Sequence, residues 1–543
     1  MTFQVTFVAV VLVFMLIALM RECLRPGLIL FTAVVMLLCA GIISPEEALK
    51  GFSNKGMITV ALLYLVSEGV RKSGILERIV YRMLPTKNVT VTHAALRFYP
   101  VVSFISAFFN NTPVVVIFAP MIKNWARKMK LSPTKFLIPL SYATVIGGMC
   151  TLIGTTTNLV LHGMLLQEYK DEMNKLTDTQ GAVQGILLKF NIDGMHMFEL
   201  TKVGIFIALA GLIYLIFFSH YLLPDERKAE EDVEETGIIP GMVRHEVMLG
   251  NRFPGLGRTL HEFDFYRRYG AHVRAISRAG RILQGDYLNM RMTHEDTLIV
   301  DAPEDFKDTW GDSRVFWMIN RAGNYEPPMG TKKRWLALAL LILMIIGATV
   351  GELPIVTDHF RYIKLDMFFF ACVVSIVMAW THMFSAKKYT KFFSWDVLIT
   401  IACAFAISTA MTKSGFADLI AGYIIALTDA VAGSDYGIYV ILAALFLITN
   451  IFTELITNNA AAALAFPLAL SVAEKLDTNP MPFVVCICFA ASSAFSTPIG
   501  YQTNLIVQGV GGYKFIDFVK VGLPMNLIVF LLSLLLIPLF YNM

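Results

Sequence analysis

Apolar runs of about twenty residues recur along the chain, separated by short polar breaks. Val5–Met20, Pro26–Ile43, Phe198–Leu223, Trp335–Val350, Leu365–Trp380 and Val519–Tyr541 are clear examples. A helix of that length crosses about 30 Å of hydrocarbon, so the pattern predicts an all-α polytopic membrane protein. Two further apolar stretches are polar at the centre. Leu96–Trp125 holds Asn110, Asn111 and Thr112 midway, and Tyr439–Ala473 holds Thr457, Asn458 and Asn459. Each has room for two half-helices, which predicts a re-entrant hairpin with a polar tip. Further on, Gly154-Thr155-Thr156-Thr157-Asn158 and Gly500-Tyr501-Gln502-Thr503-Asn504 read as breaks in the next spanning helix, and Pro498 and Gly500 favour the second break. Non-helical backbone at that depth is tolerated only inside protein or beside a water-filled cavity. The amides and hydroxyls at these four places need partners, because burying them unbonded costs several kcal/mol.

Composition points the same way: 56% of the 543 residues are hydrophobic and 16% charged, against about 25% charged in soluble domains. The formal net charge of +4 says less than where the charges sit. No basic residue precedes the first run, and Arg21 and Arg25 follow it. A secretory signal has the opposite flank, so a retained helix is expected, starting outside and ending in the cytoplasm. Six of the cysteines (Cys39, Cys150, Cys372, Cys403, Cys486, Cys488) lie in apolar segments without a CxxC partner and read as small core residues. His93, His162, His196 and His382 are isolated. No constellation supports catalysis, so neither an enzyme nor a bound cofactor is expected, and no nucleic-acid partner.

The chain also contains itself twice. "LVSEGVRKSGILERI" (65–79) is echoed by "AISTAMTKSGFADLI" (406–420), and "FFNNTPVVVIFAP" (108–120) by "LITNNAAAALAFP" (455–467). "TLIGTTTNLVLHG" (151–163) is echoed by "TPIGYQTNLIVQG" (497–509), and "FELTKVG" (198–204) by "FIDFVKVG" (515–522). Four collinear matches are a poor candidate for chance. Arg78, Arg82, Lys87 and Arg97 follow the first Lys-Ser-Gly, whereas Asp418, Asp429 and Asp435 follow the second. Lys123, Arg127, Lys128, Lys130 and Lys135 follow the first asparagine tip; Glu474, Lys475 and Asp477 follow the second. Basic flanks face the cytoplasm, so the two copies are expected to be inverted repeats, a hallmark of secondary transporters.

The four polar segments are then expected to meet near the midplane. The first half supplies Ser106, Asn110, Asn111, Thr112, Gly154, Thr155, Thr156, Thr157 and Asn158. The second supplies Thr453, Thr457, Asn458, Asn459, Ser496, Thr497, Gly500, Gln502, Thr503 and Asn504. Ser106 and Asn110 are four apart, as are Thr453 and Thr457, so each pair is expected to share a helical face. Unwound carbonyls with hydroxyl and amide oxygens make a cage for a monovalent cation such as sodium. Half-helix N-termini make a cradle for an anion. No lysine or arginine lies within the clusters, which eases release of an anionic cargo. For a single threonine, a helix-packing role is the better reading; four clusters repeated across two halves favour a site. Among carboxylates, Glu68 is expected to pair with Arg71. Glu454, beside the second tip, is a candidate to carry a proton or to bond a neighbouring helix break.

These residues resemble a known family. The tips Asn-Asn-Thr and Thr-Asn-Asn look like the Ser-Asn-Thr signatures of divalent anion/sodium symporters, across all of the chain but its middle insert. The resemblance implies an elevator-type member of the ion-transporter superfamily, forming a homodimer through a static scaffold. It implies a first sodium site of Ser106, Asn110, Asn111 and Gly154, and a second of Thr453, Thr457, Asn458 and Gly500. Asn111, Thr112, Asn458 and Asn459 would face the anion. Dicarboxylate members usually carry a proline pair where this chain has Thr156–Thr157 and Gln502–Thr503. Donors from Thr156 and Gln502 favour a compact oxyanion, sulfate ahead of succinate or citrate. Thr155, Thr157, Asn158, Thr497, Thr503, Asn504 and Glu454 are further candidates.

The organisation expected is a first repeat over 1–223, a linker and insert over 224–331, and a second repeat over 332–543. "PDERKAEEDVEETG" reads as a charged linker. From about Gly237 to Glu304 the pattern turns soluble, with short strands around an amphipathic Thr259–Tyr269 helix, a small α+β unit. "GRTLHEFDF" and "VRAISRAGRIL" resemble the C-terminal module of potassium-conductance regulators, the TrkA-C or RCK-C type, which also occurs in sulfate-type members of the symporter family. His294-Glu295-Asp296 stands where that module usually has Gly-Asp. "GLGRTL" lacks a P-loop lysine, so the module serves either for packing and dimerisation or as receptor for an unidentified cytoplasmic ligand. Lys332, Lys333 and Arg334 place it in the cytoplasm. The function expected is sodium-coupled import of a small inorganic anion across the cell's inner or plasma membrane. A channel gated by the module is the weaker reading, since "PIGYQTN" shares only Gly-Tyr with a potassium filter.

Overall fold

Lys72-Ser73-Gly74 and Lys413-Ser414-Gly415 end two helices in the same way. Gly74 and Gly415 take left-handed φ values of 71° and 77°, a conformation that glycine adopts without a Cβ penalty. Ser73 Oγ and Ser414 Oγ each accept the next helix's first N–H, from Ile75 and Phe416, at 3.3 Å. The computed structural model describes all residues except 1–2, 22–23, 86–88, 179–184, 226–241, 251, 279–280, 284–286, 295, 304, 311–314, 322–329, 352, 354–355, 357–363, 385–388, 432 and 542–543. Most of the charged linker, Lys87 and Glu295 therefore lie outside the described residues.

Numbering the helices of nine or more residues along the chain, the first half holds α1 (Phe3–Met20), α2 (Pro26–Cys39), α3 (Lys55–Ser73), α4 (Ile75–Met83), α5 (Val91–Ser106), α6 (Asn111–Lys128), α7 (Thr134–Gly148), α8 (Thr156–Asp178) and α9 (Thr201–Phe217). The second half holds α10 (Thr331–Gly351), α11 (Met367–Trp380), α12 (Trp395–Ser414), α13 (Phe416–Val431), α14 (Gly433–Leu455), α15 (Asn458–Leu476), α16 (Met481–Ser492), α17 (Gln502–Gly511) and α18 (Phe515–Tyr541). The order matches element for element. Packing is reciprocal as well: α2 lies on α12 while α11 lies on α3, and α6 lies on α17 while α15 lies on α8.

Several elements depart from the expected runs. The Pro26–Ile43 run ends as a helix at Cys39, because Gly41 turns the chain with a left-handed φ of 69°. The Phe198–Leu223 run divides into α9 and a short turn at Ser219–Leu222. α14 has 23 residues and its Gly437–Leu455 part, at mean hydropathy 2.0, is long and apolar enough to cross a membrane. That arm of the second hairpin is a full-length helix, not a half-helix. α1, α10, α12 and α18 meet the same criterion. On α18, Leu523, Leu527, Leu531, Leu535 and Leu539 recur every fourth position and are all more than half exposed, a stripe suited to lipid rather than water.

The insert has its own core of Phe253, Phe263, Phe265, Tyr269 and Phe316, under an antiparallel sheet of order β3-β2-β4-β1-β5. Its strands are β1 (Val243–Leu249), β2 (His272–Arg278), β3 (Arg281–Ile282), β4 (Asp296–Ala302) and β5 (Phe316–Arg321). The unit thus extends past Glu304, where the sequence pattern placed its end. The expected Thr259–Tyr269 helix is two short ones, broken where Asp264 takes a φ of 47° and caps Arg267 N–H. Asp301 is fully buried and receives Arg244 at 2.9 Å and Arg274 at 2.8 Å. Burial alone would raise its carboxyl; the two guanidiniums outweigh that and hold it below the usual carboxylate range. β1 seats the unit on the helices: Met248 joins the helical core against Gly509 of α17, and Glu246 stands 4.0 Å from Lys123 of α6.

Candidate functional site

α5 stops at Ser106 and α6 begins at Asn111, with Asn110 (φ −55°, ψ 136°) turning the chain between them. Pro113, in the first turn of α6, suits a helix start, since its missing N–H would have had no acceptor there. The second tip repeats this design, with α14 ending at Leu455, Thr457 extended and α15 beginning at Asn458. Asn110 and Thr457 make no side-chain bond to the helix they precede, nor does Tyr501 before α17. Three helix starts therefore meet the centre without a side-chain cap, where first-turn N–H groups lack intrahelical acceptors. At α8 the corresponding role is filled by Thr155 Oγ1, which accepts Thr157 N–H at 3.2 Å.

The break in each hairpin overturns one expectation. Ser106 and Asn110 do not share a helical face, and neither do Thr453 and Thr457, because the helix ends between them. The partner is one residue further on. Ser106 Oγ donates to Asn111 Oδ1 at 2.7 Å, and Thr453 Oγ1 to Asn458 Oδ1 at 2.9 Å.

The same bonds recur in the two broken segments. Gly154 N–H donates to Thr151 Oγ1 at 3.2 Å, and Gly500 N–H to Thr497 Oγ1 at 3.1 Å. Asn158 Nδ2 donates to Thr151 O at 2.9 Å and Gly148 O at 3.5 Å; Asn504 Nδ2 donates to Thr497 O at 3.0 Å and Ala494 O at 2.8 Å. Thr151 Oγ1 donates to Ala107 O, and Thr497 Oγ1 to Glu454 O. Two stretches with different side chains thus share one fold.

Across the halves the bonds are exchanged. Thr112 Oγ1 reaches Gln502 Oε1 at 3.3 Å, and Thr156 Oγ1 reaches Asn459 Oδ1 at 3.2 Å. Thr112 corresponds to Asn459 and Gln502 to Thr156, so these are one contact made twice with the partners swapped. Thr157 Oγ1 also donates to Asn459 Oδ1 at 3.1 Å. Asn111 Nδ2 crosses to Tyr501 Oη at 2.6 Å, and Thr155 Oγ1 lies 3.5 Å from that hydroxyl. Ser141 Oγ of α7 lies 2.8 Å from Thr503 Oγ1 and 2.7 Å from Asn504 Oδ1.

Oxygens converge around the close approach of Gly148 and Gly154. A Cβ on Gly148 would stand 2.6 Å from Asn111 Oδ1 and 3.0 Å from Gly154 O. A Cβ on Gly154 would stand 2.5 Å from Gly148 O and 2.9 Å from Ala107 O. Asn158 Oδ1, beside them, is buried without a hydrogen-bond partner among the described residues, as is Thr457 Oγ1 at the other tip. Near Gly500 the nearest oxygens are Thr453 O and Thr497 Oγ1, each 3.0 Å from the Cβ position. Most of these side chains are buried, but Thr112, Thr156 and Thr457 are half-buried and Gln502 is exposed. That edge is the part of the cluster that opens to the surface.

Tyr501, Thr151 and Ser141 were missed by the sequence reading. Tyr501 stands at the position of Thr155 in the repeat but looks aromatic and apolar. Thr151 could have been found as the counterpart of Thr497, whereas Ser141 has no repeat signal. Glu68 pairs with Arg71 as expected, with Arg71 Nε 2.7 Å from Oε2. Glu454 Oε1 accepts Ser496 N–H of the second break at 2.8 Å.

Lipid-facing helices around a polar centre shared by two similar halves define a multi-pass membrane transporter. The chain belongs to the citrate transporter family, whose model matches residues 12–467 and 362–542. An uncharacterized transporter of Synechocystis is 26% identical over 641 aligned residues, covering 99% of this chain and 98% of that one. Sodium/sulfate cotransporter 1 of Chlamydomonas reinhardtii is 30% identical over 310 residues, covering 56% of this chain and 32% of its own. The crystal structure of the YdaH transporter of Alcanivorax borkumensis aligns over 92% of this chain and 88% of that one, with TM-score 0.48 and 12% identity, a likeness too slight to argue from.

Proposed function

We propose that this chain imports a small divalent oxyanion, sulfate first, together with sodium, by alternating access of two inverted repeats. The observation that carries the proposal is the exchanged pair of bridges, Thr112–Gln502 and Asn459–Thr156. A contact made twice with its partners swapped is the mark of a two-fold relation. Its direction follows from the far ends of the helices. α6 and α17 leave the centre toward the insert, at Lys123 and Gly509. α8 and α15 pack together, and just beyond α15 Lys189 Nζ lies 2.5 Å from Asp477 Oδ1; neither is among the helices that reach β1 through Lys123 or Gly509. In this reading the corresponding helices α6 and α15 run in opposite senses, as inverted copies require. Lys123, Arg127 and Lys128 lie on the helix that reaches the insert, which supports placing that end in the cytoplasm by the positive-inside rule.

In this reading the oxygens around Gly148, Gly154 and Asn158 take one sodium ion, with Ser106 and Asn111. Those of Thr453, Asn458, Thr457 and Gly500 take a second. The uncapped starts of α6, α15 and α17, with Thr112, Thr156, Asn459 and Gln502, hold the anion through N–H and O–H donors. Sodium supplies the positive charge that these donors lack, and leaves with the cargo. The hairpins move against a scaffold that pairs in a homodimer, and the insert stays in the cytoplasm as a TrkA-C or RCK-C type module. The relative named as a sodium/sulfate cotransporter supports the ion pair chosen. The family's description, citrate transporter, favours a second reading with a dicarboxylate or tricarboxylate cargo.

Purified protein in sealed vesicles is expected to accumulate labelled sulfate under an inward sodium gradient, with competition by thiosulfate, selenate or molybdate. Accumulation that is equal with and without the gradient would remove sodium coupling. Competition by citrate or succinate, and none by selenate, would establish the second reading instead.

A further inference from the structure

The polar centre and the outer helices each pack reciprocally, but they do not meet reciprocally. In the centre, α6 on α17 is repeated by α15 on α8; outside it, α2 on α12 is repeated by α11 on α3. Between the two groups, α3 lies on α8 and α12 lies on α15. The repeat relation turns these contacts into α12 on α17 and α3 on α6. Among the described residues neither of those packings is comparably formed. The outer helices thus hold the pair α8 and α15. The pair α6 and α17 carries the insert instead: α6 meets β5 and Glu246, and α17 meets β4 and Met248.

The start of α3 shows what the unformed contact needs. Gly56 and Gly163 meet backbone to backbone, so that a Cβ on Gly56 would stand 2.6 Å from Gly163 Cα. Asn54 Nδ2 donates to Gly163 O at 3.0 Å, and Asn54 and Gly56 are both buried. By the repeat offsets Gly509 is the counterpart of Gly163, and Trp395, Asp396 and Val397 are those of Asn54, Lys55 and Gly56. That start of α12 is open, with Trp395 exposed and Val397 half-buried. Gly509 is buried all the same, because the insert covers it: a Cβ there would collide with Met248 Cε. Four residues on, Arg252 is close enough to Asp396 and Arg25 to feel their charges. The insert therefore lies across the gap between Gly509 and the start of α12.

Chain order puts it in the same place. The insert follows α9, which packs on α7, and precedes α10, which packs on α11 and α3. Its hold is also of a kind that can let go. Methionine is flexible and fills a gap without a directed bond, and the partly exposed Lys123–Glu246 pair, at 4.0 Å, contributes little.

We propose that the insert is a releasable wedge: Met248 in the Gly509 notch keeps the start of α12 off α17 and holds the molecule in this one end state. The opposite end state needs the Gly509 notch for α12, as this one uses the Gly163 notch for α3. The wedge must withdraw before the hairpins can cross, so displacement of β1 governs transport. The wedge rests on alternating access as proposed above; the covered notch does not.

Glu246→Cys with Lys123→Cys in the full chain, in sealed vesicles, pins β1 to α6 and leaves the notch unaltered. A bis-methanethiosulfonate reagent is expected to join the pair, seen as a linked peptide by mass spectrometry, and to abolish sodium-driven sulfate uptake. Dithiothreitol should restore it, and either single variant treated alike should keep its uptake. An insert that merely travels with α6 and α17 would leave uptake unchanged in the joined chain. That result, or failure of the pair to join, would overturn the proposal. A benzophenone amino acid in place of Trp395 reads the state without cargo. Light is expected to couple it to α17 around Gly509, more strongly in Met248→Ala, and to couple none there once β1 is pinned. Coupling indifferent to pinning, or absent from Met248→Ala, would overturn the wedge. Coupling that pinning abolishes, in a chain that carries no sulfate, would leave the wedge standing and sink the cargo assignment instead.

Discussion

Gly154→Ala is expected to reduce sodium-driven uptake about a hundredfold. Its Cβ would stand 2.5 Å from Gly148 O, 2.7 Å from Gly148 Cα and 2.9 Å from Ala107 O. All three are backbone atoms, so no side chain can rotate out of the way, and tightly packed interiors pass such strain on. Overpacking of this kind costs about 1–3 kcal/mol, and the upper end corresponds to roughly a hundredfold in affinity. The displaced atoms are the oxygens assigned to the first sodium ion, so the cost falls on ion binding as well as on the fold. The chain should still reach the membrane and elute as wild type on size exclusion. Gly330→Ala, where a Cβ meets nothing within 4 Å, serves as the control and should transport normally. Wild-type uptake by Gly154→Ala would mean that the gap between Gly148 and Gly154 holds no ion.

Asn111→Ala carries the second large effect. One amide joins Ser106 of its own half to Tyr501 of the other, and its oxygen faces the gap beside Gly148. Truncation strands the buried Ser106 hydroxyl, leaves the Tyr501 hydroxyl only its 3.5 Å contact with Thr155 Oγ1, and removes a cation ligand. Each stranded group costs about 1–3 kcal/mol, so a rise of roughly thirtyfold in the half-saturating sodium concentration is expected, from about 2 kcal/mol. Tyr501→Phe removes the crossing bond alone and should cost less than tenfold. Equal effects of the two substitutions would place the importance of Asn111 in the crossing bond rather than in ion binding.

The parts of this design that come from local chemistry were legible in the sequence. Asparagine tips, glycine-bearing breaks and the Glu68–Arg71 pair are each set by a few adjacent residues, and all three reappear as structure. Helix ends were harder. The pairing of Ser106 with Asn110 assumed an unbroken helix, and one extended residue shifted the partner to Asn111. α14 was read as a half-helix because the pattern shows where apolar character is interrupted, not how far a helix continues on its other side. The insert was cut short at Glu304 because β5 is joined across a long stretch of sequence to β1, a pairing that no local pattern reveals. Tyr501 stayed hidden for a related reason. A phenol hydroxyl that crosses from one half to the other has meaning only once the halves are together, and by composition the residue reads as apolar. The exchange of partners between Thr112–Gln502 and Asn459–Thr156 is likewise a property of the assembled pair.

The central claim is that uncharged oxygen and nitrogen groups from both halves hold a sodium ion and an anion together. Equilibrium binding of labelled sulfate to the purified chain, in sodium and then in potassium salts of equal strength, tests it most directly. Saturable binding in sodium, lost in potassium and lost in both Asn111→Ala and Asn458→Ala, is the result predicted. Equal affinity in the two salts, or full binding by both variants, would contradict it.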